Sequence, residues 1–286
     1  MKRLLITGGS GYLGEALADR ASAAGWQVAA TFFSRQPARA GIAWHQLDVR
    51  DADATARLFA ALRPDVAIHT AYRLSGPDLW PITAQGAEHV ALAASAAGTR
   101  LIHMSSDALF DGNLPPGQRY SEADDPSPIT PYGEAKAAAE RAVERLAPGA
   151  LVVRTSLIYG GALPGQHERL VLEALAERAD IAFFTDELRC PVAVGDLAAA
   201  LVELAAGDRA GRLHIAGPDV QSRYSFAQAV ARAYGHDPAR LRGGLSAASG
   251  TRRPRNCALD SSVAYGLLRT RIRGVAEVLG LETRAG

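Results

Sequence analysis

The chain has 286 residues, of which 48% are hydrophobic and 21% charged, which is enough apolar material for one large domain or two modest ones. This composition excludes disordered and fibrous proteins. A formal net charge of +1 excludes a global field that would hold the protein on nucleic acid or a membrane surface, so small molecules or proteins are the expected partners. Two cysteines, Cys190 and Cys257, and seven scattered histidines show no paired ligand spacing, so neither a metal site nor a disulfide framework is predicted.

The N-terminus begins with a short apolar run. Leu4, Leu5 and Ile6 are followed by Gly8 and Gly9 before an apolar segment of signal-peptide length can develop. No stretch approaches the ~20 uninterrupted apolar residues that a membrane-spanning helix needs. We therefore expect a first strand here, no membrane partner and a cytoplasmic protein.

Apolar runs and helical patterns alternate through the first half of the chain. The runs are too short and too continuous for half-exposed strands and predict buried ones: Leu4–Thr7, Val28–Phe32, Val66–Thr70, Leu101–Ser105 and Leu151–Thr155. A shorter run, Ala43–Leu47, predicts one more strand. The helical spacing between them predicts four helices: Leu13–Ala24, Ala54–Leu62, Ala84–Ala97 and Tyr132–Leu146. This alternation predicts an α/β fold with a doubly wound parallel sheet of the Rossmann type, covered by helices on both faces.

The alternation weakens after about Thr155. Pairs such as Gly160-Gly161, Pro164-Gly165, Gly217-Pro218 and Gly243-Gly244 separate shorter elements. We expect an NAD(P)-binding domain over residues 1–156 and a smaller α/β substrate lobe over 157–286, with some of its segments returning to the first domain.

A glycine-rich turn joins the first strand to the first helix. Gly8, Gly11 and Gly14 permit a tight turn, close approach of the backbone to a pyrophosphate and close packing of helix on strand. Tyr12 and Leu13 lie at the start of the helix, where free N–H groups and the positive dipole end face the phosphates. Because the pattern follows a buried strand inside a βαβ unit, it predicts a dinucleotide site rather than an ordinary turn.

The end of the second strand indicates which dinucleotide is bound. An acidic residue there would hold the ribose hydroxyls of NAD, but the stretch from Thr31 to Arg35 contains none. Ser34 and Arg35 instead offer a hydroxyl and a guanidinium suited to a 2′-phosphate, which favours NADP over NAD. The alternative is that Arg35 is one more solvated arginine in a chain with 29.

Three further residues complete the predicted cofactor site. Asp48 follows the third strand, where its carboxylate would hydrogen-bond the adenine end, or else cap the next helix. Its neighbour Val49, and Ala71 after the fourth strand, are also expected to contact the cofactor.

Tyr132 and Lys136 are four residues apart on one face of a predicted helix, with Thr130 as N-cap and Pro131 at the first position. Lysine otherwise occurs only at Lys2, so an internal lysine indicates a task that arginine does not perform, namely a compact ammonium beneath a phenol. A charged Lys136 is expected to lower the pKa of Tyr132 and make it a general acid or base. The alternative is an exposed helix lysine.

Hydroxyls follow the buried strand Leu101–Ser105, at the sheet edge where such folds bind ligands. Ser106 is the candidate third member of a catalytic triad. Ser105 and Asp107 are better explained as caps of the following turn.

Ordered motifs along nearly the whole chain carry a family resemblance. They are TGGSGYLG at 7–14, MSSDALFDG at 104–112, YSEAD at 120–124, PYGEAK at 131–136, VVRTSLIYG at 152–160, residues 191–197 and RRPRNCALD at 252–260. The chain resembles an extended short-chain dehydrogenase/reductase, most closely the dTDP-4-dehydrorhamnose reductase family and the related regulatory β subunit of methionine adenosyltransferase.

The resemblance implies a reaction. Hydride would pass from the nicotinamide to the keto carbon of a nucleotide-linked sugar, while Tyr132 protonates the oxygen, Ser106 hydrogen-bonds it and Lys136 holds the nicotinamide ribose. Relatives often form homodimers, although no exposed apolar stripe predicts one here.

Departures from the family fall on the implied sugar side. Among the substrate-binding positions Asp107, Ala108, Leu157 and Arg253, the family usually has an aromatic residue at 108 and tryptophan at 157. Thr83 replaces a structural asparagine. Arg253 belongs to a basic cluster with Arg252 and Arg255, which would contact a diphosphate or form a solvated surface.

These departures leave the sugar open, and two rival functions stand beside the reductase. One is a cofactor-binding regulatory subunit without turnover. The other is an epimerase or dehydratase with tightly held NAD, which the absence of an acid near Ser34 disfavours.

Overall fold

The computed structural model describes residues 2–281. Its strands are β1 (Arg3–Thr7), β2 (Gln27–Phe32), β3 (Ala43–Gln46), β4 (Val66–His69), β5 (Arg100–Ser106), β6 (Leu151–Thr155), β7 (Ile158–Tyr159), β8 (Ala182–Phe184), β9 (Leu188–Arg189), β10 (Val192–Ala193), β11 (Gly211–His214), β12 (Gln221–Ser222) and β13 (Arg242–Gly244). Its helices are α1 (Tyr12–Ala23), α2 (Ala52–Leu62), α3 (Gly86–Ala96), α4 (Pro131–Leu146), α5 (Gln166–Leu175), α6 (Val194–Ala206), α7 (Arg223–Ala233), α8 (Ser262–Leu267) and α9 (Val275–Val278).

A seven-stranded parallel sheet in the order β11-β6-β5-β4-β1-β2-β3 forms the centre. Successive side chains of its strands point to opposite faces, and both faces are apolar. Leu4 and Ile6 of β1 join one core cluster with α1 and α6, whereas Leu5 joins a second cluster that contains residues of α2, α3 and α4. The predicted fold, a doubly wound sheet with helices on both faces, is confirmed.

The strand order reverses between β1 and β4. The chain crosses from β1 to β2 and β3 on one side, then returns to β4 and β5 on the other. This reversal opens a crevice beyond the carboxyl ends of the central strands, where doubly wound sheets bind ligands. The glycine turn, the end of β5 and the start of α4 all lie at this edge.

Three short two-stranded pairs, β7 with β10, β8 with β13 and β9 with β12, lie outside the main sheet, and together with α5 and α7 they are called the second lobe below. Its apolar core contains Leu157, Tyr159, Phe226 and Val275, with α5 and α7 packed against each other. From this half of the chain, β11 joins the main sheet beside β6, and α6 covers one sheet face.

The predicted elements of the first half match the structure to within a few residues. The N-cap of α4 is confirmed, since Thr130 Oγ1 accepts a hydrogen bond from Gly133 N at 3.1 Å and Pro131 is the first helical residue. The helix predicted from Ala84 begins earlier, because a π-helical turn at Pro81–Gln85 leads directly into α3. Within residues 2–281, no helix combines the length and the hydropathy needed to cross a membrane.

Candidate active site

The glycine turn between β1 and α1 leaves no room for side chains. Gly8 has a φ of +77°, in the left-handed region, and a Cβ there would lie 2.6 Å from the backbone N of Ala71. A Cβ on Gly14 would lie 2.3 Å from the carbonyl oxygen of Gly8. α1 follows Gly11 without a side-chain cap, so its first N–H groups are available to an anion. The turn therefore fits the pyrophosphate of a dinucleotide.

Ser34 and Arg35 follow β2 and are both exposed, and Asp48 lies nearby beyond β3. The Asp48 carboxylate accepts hydrogen bonds from Arg50, from the backbone N at 3.0 Å and from Nε at 2.9 Å. These hydrogen bonds hold the pKa of Asp48 below its ordinary value. The alternative role of Asp48 as a helix cap is wrong, because Asp51 caps α2 through Ala54 N at 2.8 Å.

Arg50 was not predicted from the sequence. Its Nη1 lies 2.7 Å from Asp78 Oδ1, and its guanidinium lies 5.6 Å from the ring centroid of Phe33. Val49, between Asp48 and Arg50, is buried, and its Cγ2 would lie 2.7 Å from a Cβ on Gly86. Val49 thus packs against the start of α3.

Ser106 and Tyr132 are held together by the packing of α4 on the turn after β5. The expectation that Ser105 and Asp107 cap this turn is wrong, because Ser106 is its N-cap. Ser106 Oγ accepts a hydrogen bond from Ala108 N at 3.2 Å and donates one to Asp107 Oδ1 at 3.3 Å. A Cβ on Gly133 would lie 2.2 Å from the carbonyl oxygen of Ala108, so α4 packs so closely on this turn that only glycine fits between them. The contact places the phenol of Tyr132 beside Ser106 at the cavity wall.

Lys136 is buried beneath the same wall rather than exposed on its helix. Its Nζ donates a hydrogen bond to the carbonyl oxygen of Met104 at 2.8 Å and lies 5.4 Å from the ring centroid of Tyr72. Burial lowers the pKa of Lys136 to about 8, and the Glu140 carboxylate acts in the opposite direction.

The expected lowering of the Tyr132 pKa is wrong for this structure. Burial raises the pKa of Tyr132 well above its ordinary value, with smaller contributions of the same sign from Tyr72 and Asp107. The Ser106 hydroxyl acts in the opposite direction, and Lys136 directs its Nζ to Met104 instead. Tyr132 is therefore a protonated phenol at neutral pH, the form that a proton donor requires.

Asp107 connects the turn after β5 to the second lobe. Ser156 Oγ donates a hydrogen bond to Asp107 Oδ2 at 2.6 Å, and Arg189 Nε lies 3.7 Å from the same oxygen. Burial raises the pKa of Asp107, whereas Arg189 and the Ser156 hydroxyl lower it. Arg189 also donates to the carbonyl oxygens of Pro254 and Arg255, both at 2.9 Å.

The cavity wall formed by the second lobe is rich in cationic side chains. Arg253 pairs with Glu187 and lies 5.0 Å from the Phe184 ring centroid. Arg223 Nη1 lies 3.3 Å from His167 Nδ1. Burial and the nearby guanidinium of Arg223 lower the pKa of His167 to about 3, so the imidazole is neutral at neutral pH.

A cavity of about 460 Å³ lies between the glycine turn, the turn after β5, the start of α4 and the second lobe. The predicted residues that line it are Gly11, Tyr12, Leu13, Gly14, Ser106, Asp107, Ala108, Tyr132, Lys136, Leu157 and Arg253. The predicted residues outside its walls are Gly8, Ser34, Arg35, Asp48, Val49 and Ala71. Among the wall residues that were not predicted from the sequence are Tyr72, Ser156, His167, Glu187, Arg189 and Arg223.

Thr83, which replaces the family's asparagine, lies buried in the π-helical turn. Its Oγ1 accepts a hydrogen bond from Arg73 N at 2.9 Å and donates one to the Arg73 carbonyl oxygen at 3.0 Å. The hydroxyl therefore anchors the backbone that follows Tyr72, at the edge of the cavity.

Comparisons with known proteins agree with the family named from the sequence motifs. A profile described as RmlD substrate binding domain matches residues 1–278. The chain is 34% identical over 251 residues to dTDP-4-dehydrorhamnose reductase of Mycobacterium tuberculosis H37Rv, which covers 84% of this chain and 78% of that protein. It is 31% identical over 282 residues to methionine adenosyltransferase 2 subunit beta of Rattus norvegicus, which covers 91% of this chain and 81% of that protein.

Solved structures share the fold. The Bacillus anthracis dTDP-4-dehydrorhamnose reductase in complex with NADP superimposes with a TM-score of 0.81 at 24% identity, over 98% of each chain. The Bordetella bronchiseptica enzyme WbmH in complex with NAD+ gives a TM-score of 0.83 at 21% identity, over 98% of this chain and 96% of that one.

Proposed function

The chain belongs to the RmlD substrate binding domain family, and on that premise we propose that it is an NAD(P)-dependent oxidoreductase that reduces the keto group of a nucleotide-linked sugar. One observation carries the proposal. Ser106, Tyr132 and Lys136 meet at one wall of a cavity whose end is formed by the glycine turn and the uncapped start of α1.

The residues of the turn fit the dinucleotide that the family implies. Gly8, Gly11 and Gly14 would bring the backbone close to its pyrophosphate, with the N–H groups of Tyr12 and Leu13 as donors. Lys136 would hold the nicotinamide ribose, with its Nζ anchored by the Met104 carbonyl. When bound, the reduced nicotinamide supplies the hydride.

Tyr132 and Ser106 would act on the keto oxygen of the substrate. Tyr132 is protonated because burial raises its pKa, so its hydroxyl can donate a proton to the oxygen as negative charge develops. Ser106 is already fixed by Ala108 N and Asp107, so its hydroxyl needs only to rotate to hydrogen-bond the same oxygen.

We infer NADPH as the preferred cofactor, because the turn after β2 has no acid and exposes Ser34 and Arg35. Arg35→Ala is expected to weaken NADPH binding about tenfold while leaving NADH binding within about twofold, because the Arg35 guanidinium would contact only the 2′-phosphate, which NADH lacks. Fluorescence titration with each cofactor measures this. Equal weakening for both cofactors, or none for NADPH, would contradict the assignment.

On the substrate side, the proposal assigns contacts to Asp107, Ala108, Leu157 and Arg253. The small Ala108 and the buried Leu157 remove the aromatic surface usual in the family, whereas the Tyr72 ring lies 5.9 Å from that of Tyr132 and supplies another. We therefore expect a substrate other than dTDP-4-dehydrorhamnose to be preferred.

Turnover tests the proposal directly. NADPH oxidation would be followed by absorbance with a panel of nucleotide-linked 4-keto sugars generated in place. Tyr132→Phe is expected to lower kcat by about 10²- to 10⁴-fold, because it removes the proton donor but keeps the ring. Turnover that survives Tyr132→Phe would contradict the role of this residue.

The similarity to methionine adenosyltransferase 2 subunit beta favours a second candidate, an NADP-binding regulatory subunit without turnover. Tight NADPH binding, no turnover across the panel and stoichiometric capture of a protein partner would support it.

The reductase proposal also includes a cytoplasmic location and a homodimer, and light scattering of the purified protein would measure its oligomeric state.

A further inference from the structure

The side chain of Tyr12 leaves the glycine turn and inserts into the second lobe. Gly161 N donates a hydrogen bond to Tyr12 Oη at 2.7 Å, and Tyr12 Oη lies 3.4 Å from Glu168 Oε2, to which it donates. A Cβ on Gly161 would lie 2.8 Å from Tyr12 Oη, and one on Gly165 would lie 3.0 Å from the ring. The phenol therefore occupies a slot between Gly161 and Gly165, and a side chain at either position would close that slot.

The Glu168 carboxylate accepts several of the hydrogen bonds that surround this contact. The side chain is buried, and Oε2 accepts hydrogen bonds from Gly165 N at 2.7 Å and from Gly160 N at 3.3 Å. Tyr234, which ends α7, donates to Oε1 at 3.3 Å. The loop at 160–165, the start of α5 and the end of α7 are thus organised around one carboxylate. The contact persists across neutral pH, because burial and the nearby carboxylate raise the pKa of Tyr12 to about 12 and keep its hydroxyl a donor.

The same elements form the substrate side of the cavity. Directly after the loop, α5 presents His167, Arg169 and Leu170 to the cavity, and Ile158 precedes the loop. Tyr12 is therefore part of the cofactor turn through its backbone and part of the substrate wall through its side chain.

We propose that Tyr12 is a positioning residue that couples occupation of the dinucleotide site to the order of the 160–170 wall of the substrate site. The inference rests on the proposed function, since it needs a dinucleotide on the glycine turn. An anion held by the first N–H groups of α1 restrains the backbone of Tyr12, and its phenol transmits that restraint to Gly161 and Glu168. Binding coupling is reciprocal, so a substrate that orders this wall strengthens cofactor binding by the same factor.

Hydrogen exchange of the full-length protein tests the coupling without turnover. Exchange in peptides covering 159–170 would be compared with and without NADPH, at a concentration shown by fluorescence titration to saturate each variant. In wild type we expect NADPH to slow this exchange. In Tyr12→Phe, which keeps the ring in its slot, the NADPH-dependent slowing should be lost.

Tyr234→Phe is the matched control, because it removes one phenol from the same carboxylate but has no link to the glycine turn. It should retain the slowing. With a turned-over substrate, Tyr12→Phe should raise KM by at least about fivefold and change kcat less, which a general loss of structure would not do.

The outcomes separate the two proposals. Slowing of the same size in wild type and Tyr12→Phe, loss of the slowing in both variants, or no slowing in wild type saturated with NADPH would overturn the coupling and leave the reductase proposal standing. If wild type binds neither NADPH nor NADH, the proposed function fails and the coupling with it.

Discussion

Replacing Gly133 with alanine is expected to push α4 away from the turn that carries Ser106. The added Cβ would lie 2.2 Å from the carbonyl oxygen of Ala108 and 3.1 Å from Cβ of Pro128. Ordinary contact begins at 3.4 Å, so α4 and the turn must separate by about 1.2 Å. The nearer obstructing atom belongs to the backbone and cannot rotate aside as a side chain would.

The magnitude follows from two opposing effects. Alanine stabilises a helix interior by about 1 kcal/mol relative to glycine, whereas overpacking costs about 1–3 kcal/mol. We expect the free energy of unfolding to fall by up to about 2 kcal/mol. Tyr132 adjoins the substitution and Ser106 lies on the displaced turn, so a misplacement of about 1 Å is expected to lower kcat by about 10²-fold.

Gly195→Ala is the control. Gly195 lies in the first turn of α6, and a Cβ there meets no atom within 4 Å, so this variant should be as stable as wild type or slightly more stable, with unchanged kcat. Urea unfolding followed by circular dichroism measures stability, and NADPH oxidation measures kcat. A Gly133→Ala protein with the stability and kcat of wild type would refute the reasoning.

Two buried charges lead to further predictions. Lys136→Met is expected to abolish turnover yet raise the free energy of unfolding by about 1–2 kcal/mol at pH 7, because burial penalises the charged lysine. The native pKa of Lys136, about 8, lies below the ordinary 10.5, so the stability of wild type should rise with pH between these values and the advantage of the variant should shrink. Urea titrations at pH 7 and pH 10 measure this. A variant less stable than wild type at pH 7 would contradict the prediction. Arg154→Met leaves Glu140 buried without its partner, 2.9 Å away in the native pair, and should lower stability by about 3–5 kcal/mol. Arg154→Met combined with Glu140→Leu should recover most of that loss in the same assay, and a double variant as unstable as the single one would count against the explanation.

Local sequence pattern was sufficient for the framework of the fold. Continuous apolar runs identify buried strands because both faces of a parallel sheet are covered, and the glycine spacing identifies a turn where backbone atoms meet at contact distance. The Thr130 cap and the Tyr132–Lys136 spacing depend on neighbours within one helical turn, so they could also be read locally.

The chemistry of the cavity depends on contacts between distant parts of the chain. Arg189 and Arg223 look like any of the 29 arginines, and only packing of the second lobe brings them to Asp107 and His167. Tyr12 and Glu168 are 156 residues apart, and no periodicity links them.

The pKa of Tyr132 shows the same division most clearly. A nearby lysine in the sequence suggests a lowered value, but ionisation depends on desolvation by every element packed around the phenol. The spacing placed the two groups on one helix face; in the folded chain Lys136 donates to Met104, and burial sets the direction in which the pKa of Tyr132 moves. Secondary structure and turns follow from short-range stereochemistry, whereas burial, charge pairing and pocket shape exist only once the lobes are packed together.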